Sequence, residues 1–172
     1  MYAYASTGID QAFLYDSSGA DTFTGTPSYS VMQGTNYTNR ARYFDAVYGY
    51  SSAGSDTALL YDSSGNDTFW GRPQYSVMQG PAPIGGTYYN RVKGFKTVKT
   101  YGTTGTDVAH LYDSTAPTRL DGSGNWAKMY DNALSFSYLV SGFKQVNAYA
   151  SHAGNTKNVS AIEYLITYYG SW

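Results

Sequence analysis

The chain has 172 residues, 42% of them hydrophobic, with a formal net charge of −1 and no cysteine. That apolar content suffices for one modest domain, whereas the near-neutral charge gives no electrostatic case for a nucleic-acid partner. The lack of cysteine excludes disulfides and thiolate metal sites, and no apolar stretch is long enough for membrane insertion. Twenty tyrosines and nineteen glycines among only 13% charged residues predict an all-β protein.

A Tyr-Asp-Ser phrase recurs along the chain and sets its organisation. "FLYDSSGADTFTG" at 13–25 returns as "LLYDSSGNDTFWG" at 59–71 and, more weakly, as "HLYDS" at 110–114. The aspartates of this phrase are 46 and then 51 positions apart, and the extra residues fall in the Pro-rich stretch after Gly80, which predicts a surface loop. We therefore interpret 1–172 as a single repeat domain with the following approximate units: 4–49, 50–100, 101–148 and a partial or capping segment 149–172.

Short alternating segments fill each unit. In "DTALLYD", Ala58 and Leu60 would face one side and Leu59 and Tyr61 the other. Similar segments follow, each bounded by Gly, Ser, Asn or Pro, and none shows a helical period. About six strands per unit are expected.

Repeats of this length are typical of solenoids, propellers or trefoils. We predict a right-handed parallel β-solenoid (β-helix) with about two rungs per 46–51-residue repeat, in which equivalent residues of successive units lie above one another, about 10 Å apart. A β-trefoil is the alternative, because three units are present; sandwich and propeller arrangements also stay open. The last segment begins "AYASHAG", like the first unit's "AYASTG", and such a leftover piece favours an open stack over a closed ring.

The phrases "LYDSxGxDTF", "YSxMxG" and "YNRAxxF" resemble tandem repeats of large extracellular bacterial proteins of the planctomycete type. That resemblance implies an exported multi-domain parent, of which this chain would be an excised fragment, and an extracellular or cell-surface location. It implies no chemistry. A weaker likeness connects Gly-x-Asp elements such as 54–56 and 65–67 to the calcium-binding nonapeptide repeats of secreted toxins and epimerases. Because these elements are eleven instead of nine residues apart, we transfer no ligand assignment from that family.

Rows of aspartate beside glycine are candidate calcium ligands, because calcium prefers carboxylate and carbonyl oxygens. Aspartates in such turns also cap backbone N–H groups, and the sequence leaves both readings open. The candidate metal ligands are Asp10, Asp16, Asp21, Asp56, Asp62, Asp67, Asp107 and Asp113.

An aromatic stripe opposite the small Ala positions is the candidate ligand-binding surface. Tyrosine offers a flat apolar contact and a hydroxyl, which suit a polysaccharide or cell-surface glycan, and arginine can clamp a uronate. The same aromatics could instead stack on one another to stabilise the coil. The candidate ligand-binding residues are Phe13, Tyr15, Tyr61, Tyr112, Trp70, Arg40 and Arg91.

Candidate catalytic residues lie in the divergent third unit, because its sequence has no copy elsewhere in the chain. His110, Tyr112, Arg119 and Lys128 lie there, and a base with a cationic neighbour would suit a lyase of acidic polysaccharide. Glu163 is the only glutamate, which argues against a two-Glu glycosidase.

The primary hypothesis is therefore a non-catalytic extracellular repeat module that is structural or adhesive and binds polysaccharide through its tyrosine stripe. The alternatives are a calcium-stabilised adhesion or matrix repeat and a β-helix lyase. End-to-end self-association through exposed terminal rungs is also expected.

Overall fold

The computed structural model describes all 172 residues and folds them into eighteen strands in two sheets, without a helix. The ten-stranded sheet contains, in spatial order, β1 (Tyr2–Tyr4), β5 (Tyr37–Arg42), β4 (Tyr29–Gly34), β3 (Thr22–Gly25), β7 (Thr57–Tyr61), β11 (Thr97–Tyr101), β15 (Ser137–Ser141), β14 (Trp126–Asp131), β13 (Thr118–Gly124) and β17 (Thr156–Ile162). The eight-stranded sheet contains β18 (Leu165–Gly170), β16 (Gln145–Ala150), β12 (Val108–Tyr112), β8 (Thr68–Arg72), β9 (Tyr75–Pro81), β10 (Thr87–Lys93), β6 (Ala46–Tyr50) and β2 (Gln11–Tyr15). Stacked parallel coils of this kind form a β-solenoid, so the predicted all-β solenoid is confirmed and the β-trefoil alternative is wrong.

The two sheets enclose one hydrophobic core. Strand alternation directs every second side chain inward, and Ala58 and Leu60 are fully buried, as the sequence pattern predicts. The two sheets approach each other closely where a glycine faces a large side chain. A methyl group on Gly49 of β6 would stand 2.6 Å from the ring of Phe23 in the other sheet, and one on Gly71 of β8 would stand 2.9 Å from Tyr138. Small residues in one sheet thus make room for large ones in the other.

Each unit contains an antiparallel excursion that the sequence did not predict. In the first unit the chain leaves β2, enters the other sheet as β3, turns back through β4 to β5, and returns to the first sheet as β6. β5 then pairs in parallel with the earlier β1, whereas β3 pairs in parallel with the later β7. The second and third units repeat this S-shaped path with β8–β10 and β13–β15. Each unit therefore supplies five strands, and six were expected.

An odd number of passes places equivalent strands of successive units on opposite sheets. Within each unit the chain lies first in one sheet, then in the other, and then in the first sheet again. We call each of these stretches a pass, and the middle pass is widened into the three-stranded excursion. Tyr15 and Tyr112 consequently belong to the eight-stranded sheet and Tyr61 to the ten-stranded sheet. The expectation that these three tyrosines form a single line is wrong, because two units, not one, are needed to return to the same side.

The Pro-rich loop and the C-terminal segment have the structures that the sequence pattern predicts for them. The Pro-rich insertion is the turn between β9 and β10, where Gly85 and Gly86 adopt φ of 94° and 77°, a conformation that residues with a Cβ rarely take. The last segment forms β17 and β18. β18 pairs directly with β16 and makes no excursion, so it ends the eight-stranded sheet as a closing strand.

Both ends of the solenoid have unpaired strand edges, at β1 and β2 on one end and at β17 and β18 on the other. Unpaired edges are templates for pairing with another chain. We expect reversible, concentration-dependent self-association in sedimentation velocity measurements. A single monomeric species at high concentration would contradict this expectation.

Replacing Phe69 with Ala should lower the free energy of unfolding by about 3–5 kcal/mol, since its ring is fully buried and a cavity would remain. Phe13, whose ring is half-exposed and stacked on Tyr48, is the matched control, and Phe13→Ala should cost about 1 kcal/mol. Chemical denaturation of both variants measures the difference. Equal losses would mean that the core is not the space between the sheets.

Candidate functional site

The outer face of the eight-stranded sheet carries a row of eight outward residues, six of them tyrosines, that crosses all its strands. Backbone register aligns one outward residue from each strand: Tyr169, Tyr149, Tyr112, Arg72, Tyr75, Lys93, Tyr50 and Tyr15. Adjacent strands are about 4.8 Å apart, so the row is roughly 33 Å long. Two of the predicted ligand-binding tyrosines lie in this row, with four others that the sequence did not single out.

Stacking within the row uses the faces of most of these rings. Tyr112, Tyr149 and Tyr169 form a ladder with centroids 4.5 and 4.6 Å apart, and Tyr15 stacks on Tyr50 at 5.2 Å. On the other sheet, Tyr61 stacks on Tyr101 at 5.1 Å. Such pairs contribute about 0.5–1.5 kcal/mol each beyond their buried area, so the ladders stabilise the coil. A ring stacked on both faces presents only its edge to a ligand.

A depression of about 260 Å³ interrupts these ladders in the second unit. Val77 of β9 forms its floor, with Tyr75 and Gln79 on the same strand. Trp70 and Arg72 of β8 stand on one side and Tyr89 of β10 on the other. These flanking strands are two strand spacings, about 9.6 Å, apart, which leaves lateral room for one sugar ring.

The walls of this depression exist only in the second unit. Equivalent positions of the first unit, on the outer face of the opposite sheet, keep the same floor residue, Val31. There the wall positions hold Thr24, Thr26 and Thr38 in place of Trp70, Arg72 and Tyr89. The fold therefore tolerates small residues at all three positions, and the larger ones are not required to form the coil.

Charge also distinguishes the eight-stranded sheet. Its strands contain Arg72, Arg91 and Lys93 but no aspartate or glutamate, although the chain as a whole is slightly acidic. The guanidinium of Arg72 lies 3.9 Å from the centroid of Tyr112, and that of Arg91 lies 4.6 Å from the centroid of Tyr75. Stacked arginines keep their N–H edges free for an anion. The surface around the depression is thus positive and aromatic.

The remaining predicted ligand-binding residues are divided between the two faces. Phe13 and Tyr48 stack in the row next to Tyr15 on the eight-stranded sheet. Arg40 lies on the ten-stranded sheet, where its guanidinium is 4.3 Å from the centroid of Tyr29. Arg40 and Tyr61 are therefore remote from the depression, again because equivalent positions alternate between sheets.

The four residues of the lyase hypothesis do not converge. His110 and Tyr112 project from β12 of the eight-stranded sheet, whereas Arg119 and Lys128 belong to β13 and β14 of the ten-stranded sheet. Arg119 is engaged with Asp121 at 2.7 Å. The fold therefore does not bring these four side chains into one site, since they lie on opposite faces.

His110 instead has a packing role. Its ring stacks between Trp70 and Tyr149, with centroids 6.0 Å away on both sides, and its Nδ1 is 3.1 Å from the Tyr149 hydroxyl. Burial, assisted by the positive charge of Arg72, lowers the pKa of His110. The neutral ring of His110 thereby packs against the indole of Trp70 and holds it at the edge of the depression.

The aspartate rows come together at the turns between the sheets. Two triads form, in each of which carboxylate oxygens lie within 4.8 Å of one another. The first triad is Asp16, Asp21 and Asp56, and the second triad is Asp62, Asp67 and Asp107. Asp10 and Asp113, the other predicted metal ligands, belong to neither triad.

Hydrogen bonds show that the triads cap backbone turns. Asp56 accepts the backbone N–H of Asp21 at 2.7 Å, and Asp107 accepts that of Asp67 at 2.8 Å. Asp62 likewise accepts the N–H of Thr103 at 2.6 Å. The turn-capping reading is therefore confirmed; it leaves open whether the same carboxylates also hold an ion.

The carboxyl groups of the triads differ in acidity. Burial, followed by the nearby charges of Asp62 and Asp67, raises the pKa of Asp107 to about 6 despite the backbone hydrogen bond that opposes it. Burial also raises the pKa of Asp62. For Asp21, burial acts in the same direction, but hydrogen bonds from the backbone N–H and hydroxyl of Ser17, together with the nearby hydroxyl of Tyr37, outweigh it and its pKa is lowered. The second triad is the more strained electrostatically.

Sequence reasoning missed most of the depression. Trp70 is the only wall residue among the predicted ligand-binding residues, although Arg72 and Tyr89 replace threonines of the first unit just as Trp70 replaces Thr24. Position-by-position comparison of the first two units would have found all three. Gln79 and Tyr75 are common to both units and carry no such signal.

In the presence of a chelator, Asp107 should contribute a rise in melting temperature as the pH falls from about 7.5 to about 5, opposed by His110, whose lowered pKa makes the folded state bind its proton less readily than the unfolded chain does. The folded-state pKa of Asp107 lies above the ordinary value, so the folded state binds a proton that the unfolded chain does not, and the cost of ionising Asp107 disappears as the pH drops below about 6. Asp107→Asn should flatten this dependence. An unchanged pH profile in the variant would show that Asp107 is not its source.

No protein-family model, no curated protein and no solved structure matches this chain. The resemblance to planctomycete-type repeats accordingly stays an expectation. The protein contains no helix that is long and apolar enough to cross a membrane. What can be said of function therefore rests on the geometry described above.

Proposed function

We propose that the protein is a non-catalytic, extracellular repeat module with a structural and adhesive role, and that it binds an acidic polysaccharide on its eight-stranded sheet. The observation that carries this proposal is the depression bounded by Trp70, Arg72 and Tyr89. Its walls are three large residues at positions where the first unit has threonine. Side chains that the coil does not need are the ones expected to serve a ligand.

The chemistry of the depression suits a sugar ring. Trp70 and Tyr89 offer apolar surfaces on either side of a floor formed by Val77, which is only 5% exposed. The C–H faces of a pyranose can pack against such aromatic surfaces, while the hydroxyl of Tyr89 and the amide of Gln79 are available for its hydroxyl groups. One sugar residue is the size of ligand that this volume favours.

The charge of the sheet indicates the class of sugar. Arg72 borders the depression, Arg91 and Lys93 lie on β10 together with Tyr89, and no carboxylate projects from any strand of this sheet. An arginine fork matches the geometry of a uronate carboxylate and can make two parallel hydrogen bonds to it. A uronic-acid polymer is therefore favoured over a neutral glycan.

The rest of the tyrosine row would extend the contact. Edges and hydroxyl groups of Tyr15, Tyr50, Tyr112 and Tyr149 lie along the same face as the depression. They provide a long, shallow track on which further sugar residues could rest at lower affinity. A long polymer would thus be held at one principal position and several weaker ones, which suits adhesion better than catalysis.

Trp70→Thr, which introduces the residue of the first unit, should weaken binding of an oligogalacturonide about tenfold or more, because one wall of the depression is lost. Isothermal titration calorimetry measures the affinity, and circular dichroism checks the fold. Trp126→Ala is the matched control: Trp126 is partly exposed on the opposite sheet, so this variant should bind like the wild type.

The charge requirement is tested with neutral gluco-oligosaccharides of the same length and by raising the salt concentration. Binding should be absent or much weaker for the neutral sugars and should decline with salt. Equal affinity for both sugars would exclude the arginine clamp. If Trp126→Ala abolished binding and Trp70→Thr did not, the site would lie on the other face.

A further inference from the structure

Three equivalent turn positions share one backbone arrangement but differ in charge. Besides the first and second triads, a third position contains Asp113, Thr118 and Asn155, which correspond in the repeat to Asp62, Asp67 and Asp107. Asn155 Oδ1 accepts the N–H of Thr118 at 2.8 Å, as the aspartates at its two equivalents do. The same cap therefore contains three carboxylates at the first and second positions and one at the third.

The second triad contains a buried carboxylate oxygen without a partner. Asp107 is 0% exposed; its Oδ1 accepts the N–H of Asp67, but Oδ2 has no hydrogen bond. In the first triad the corresponding oxygen of Asp56 accepts the hydroxyl of Ser51 at 2.7 Å, and the residue equivalent to Ser51 is Gly102. A buried acceptor with no donor is costly unless another group satisfies it.

The first triad has a related feature. Asp21 is 2% exposed, and its Oδ1 lacks a hydrogen bond of acceptable geometry, although the Tyr37 hydroxyl is close enough to influence the pKa of its carboxyl group. At the equivalent place in the second triad, Tyr88 donates to Asp67 at 2.6 Å. Oxygens of both triads are thus available inside a largely buried, acidic cluster.

No side-chain cation forms an ion pair with a triad carboxylate, and the charge of Lys144, which acts to lower the pKa of Asp107, is outweighed by burial and by Asp62 and Asp67. The ion pairs of the protein are Arg119 with Asp121 and His152 with Asp113, and neither involves a triad carboxylate. Three carboxylates whose oxygens are within 4.8 Å repel one another strongly when water is excluded. A positive group is the missing component.

The third position supplies hydrogen-bond donors from the chain itself. Asn155 Nδ2 donates to Asp113 Oδ2 at 3.0 Å, and His152 Nδ1 lies 3.2 Å from the same oxygen. An N–H donor thus occupies the interior of the cap where two of the three carboxylates are replaced by neutral residues. The contrast indicates that the triads need an external partner and the third position does not.

We propose that each triad binds one divalent cation, with Ca²⁺ as the preferred ion, and that the third position binds none. Hard carboxylate and hydroxyl oxygens suit Ca²⁺ or Mg²⁺, and the irregular, turn-borne arrangement favours Ca²⁺, which tolerates variable geometry. The ions would join turns of successive coils, because Asp56 and Asp107 each lie two passes, or one full coil, later than their partners. This inference does not depend on the proposed glycan site, and either can fail without the other.

Calorimetric titration of the whole chain with CaCl₂ at neutral pH tests the stoichiometry. The wild type should bind two equivalents, and Ca²⁺ should raise its melting temperature relative to a chelator. Mg²⁺ should bind more weakly. Tb³⁺, a Ca²⁺ surrogate that accepts excitation energy from nearby tyrosine, should luminesce through Tyr37 and Tyr88 and be displaced by Ca²⁺.

Asp107→Asn and Asp56→Asn are the informative variants, because the third position shows that asparagine fits there. Each should bind one equivalent instead of two, while its melting temperature in chelator stays equal to that of the wild type or exceeds it. Thr118→Asp combined with Asn155→Asp rebuilds a carboxylate triad and should add a third equivalent. Asp121→Asn, a carboxylate outside the triads, is the control and should leave the stoichiometry at two.

Absence of Ca²⁺-dependent heat, stabilisation and Tb³⁺ luminescence in the wild type would overturn the proposal. A melting temperature that rises only on acidification would show that a proton, and not a metal, relieves the triads. Two equivalents in both single variants would place the ions elsewhere on the molecule.

Discussion

The alternation of every unit between two facing sheets is the constraint on which the other features depend. Because a unit makes three passes, the same sequence phrase builds the outer face of one sheet and then that of the other. Both faces are thereby covered by related residues, and the inward positions must fit together from opposite sides. Gly49 opposite Phe23 and Gly71 opposite Tyr138 show how closely the two sheets match.

The three-stranded excursions give this solenoid its breadth. A simple coil would place each strand directly beside the previous strand of the same sheet, whereas here β3, β8 and β13 each lie three strand positions beyond it and the chain fills the two-strand gap by folding back. Short antiparallel connections are easily formed, so local hairpins are inserted into a parallel framework that depends on distant contacts. The excursion also creates β9, the middle strand whose small Val77 lies below the rings of its neighbours and forms the floor of the depression.

Aromatic and acidic residues divide the surface between them. Most tyrosines occupy outward strand positions, where several stack across neighbouring coils at about 5 Å, whereas nearly all aspartates occupy turns, where they cap backbone N–H groups. Stability therefore comes from the same repeated residues that would be noticed first as functional candidates. The unit-specific residues are better indicators of function: Trp70, Arg72 and Tyr89 at the depression, and Asn155 at the third turn position.

The sequence by itself determined the strand class, the repeat, the inward face of Ala58 and Leu60 and the Pro-rich loop. These features are local, or they follow from a period that can be counted along the chain. Only the tertiary structure decided which sheet each unit faces, since the number of passes depends on the pairing of distant strands and leaves no mark on the residue pattern. Tyr61 was therefore separated from Tyr15 and Tyr112, and His110 from Arg119, while Asp62, Asp67 and Asp107 were brought together across turns that no spacing rule connects.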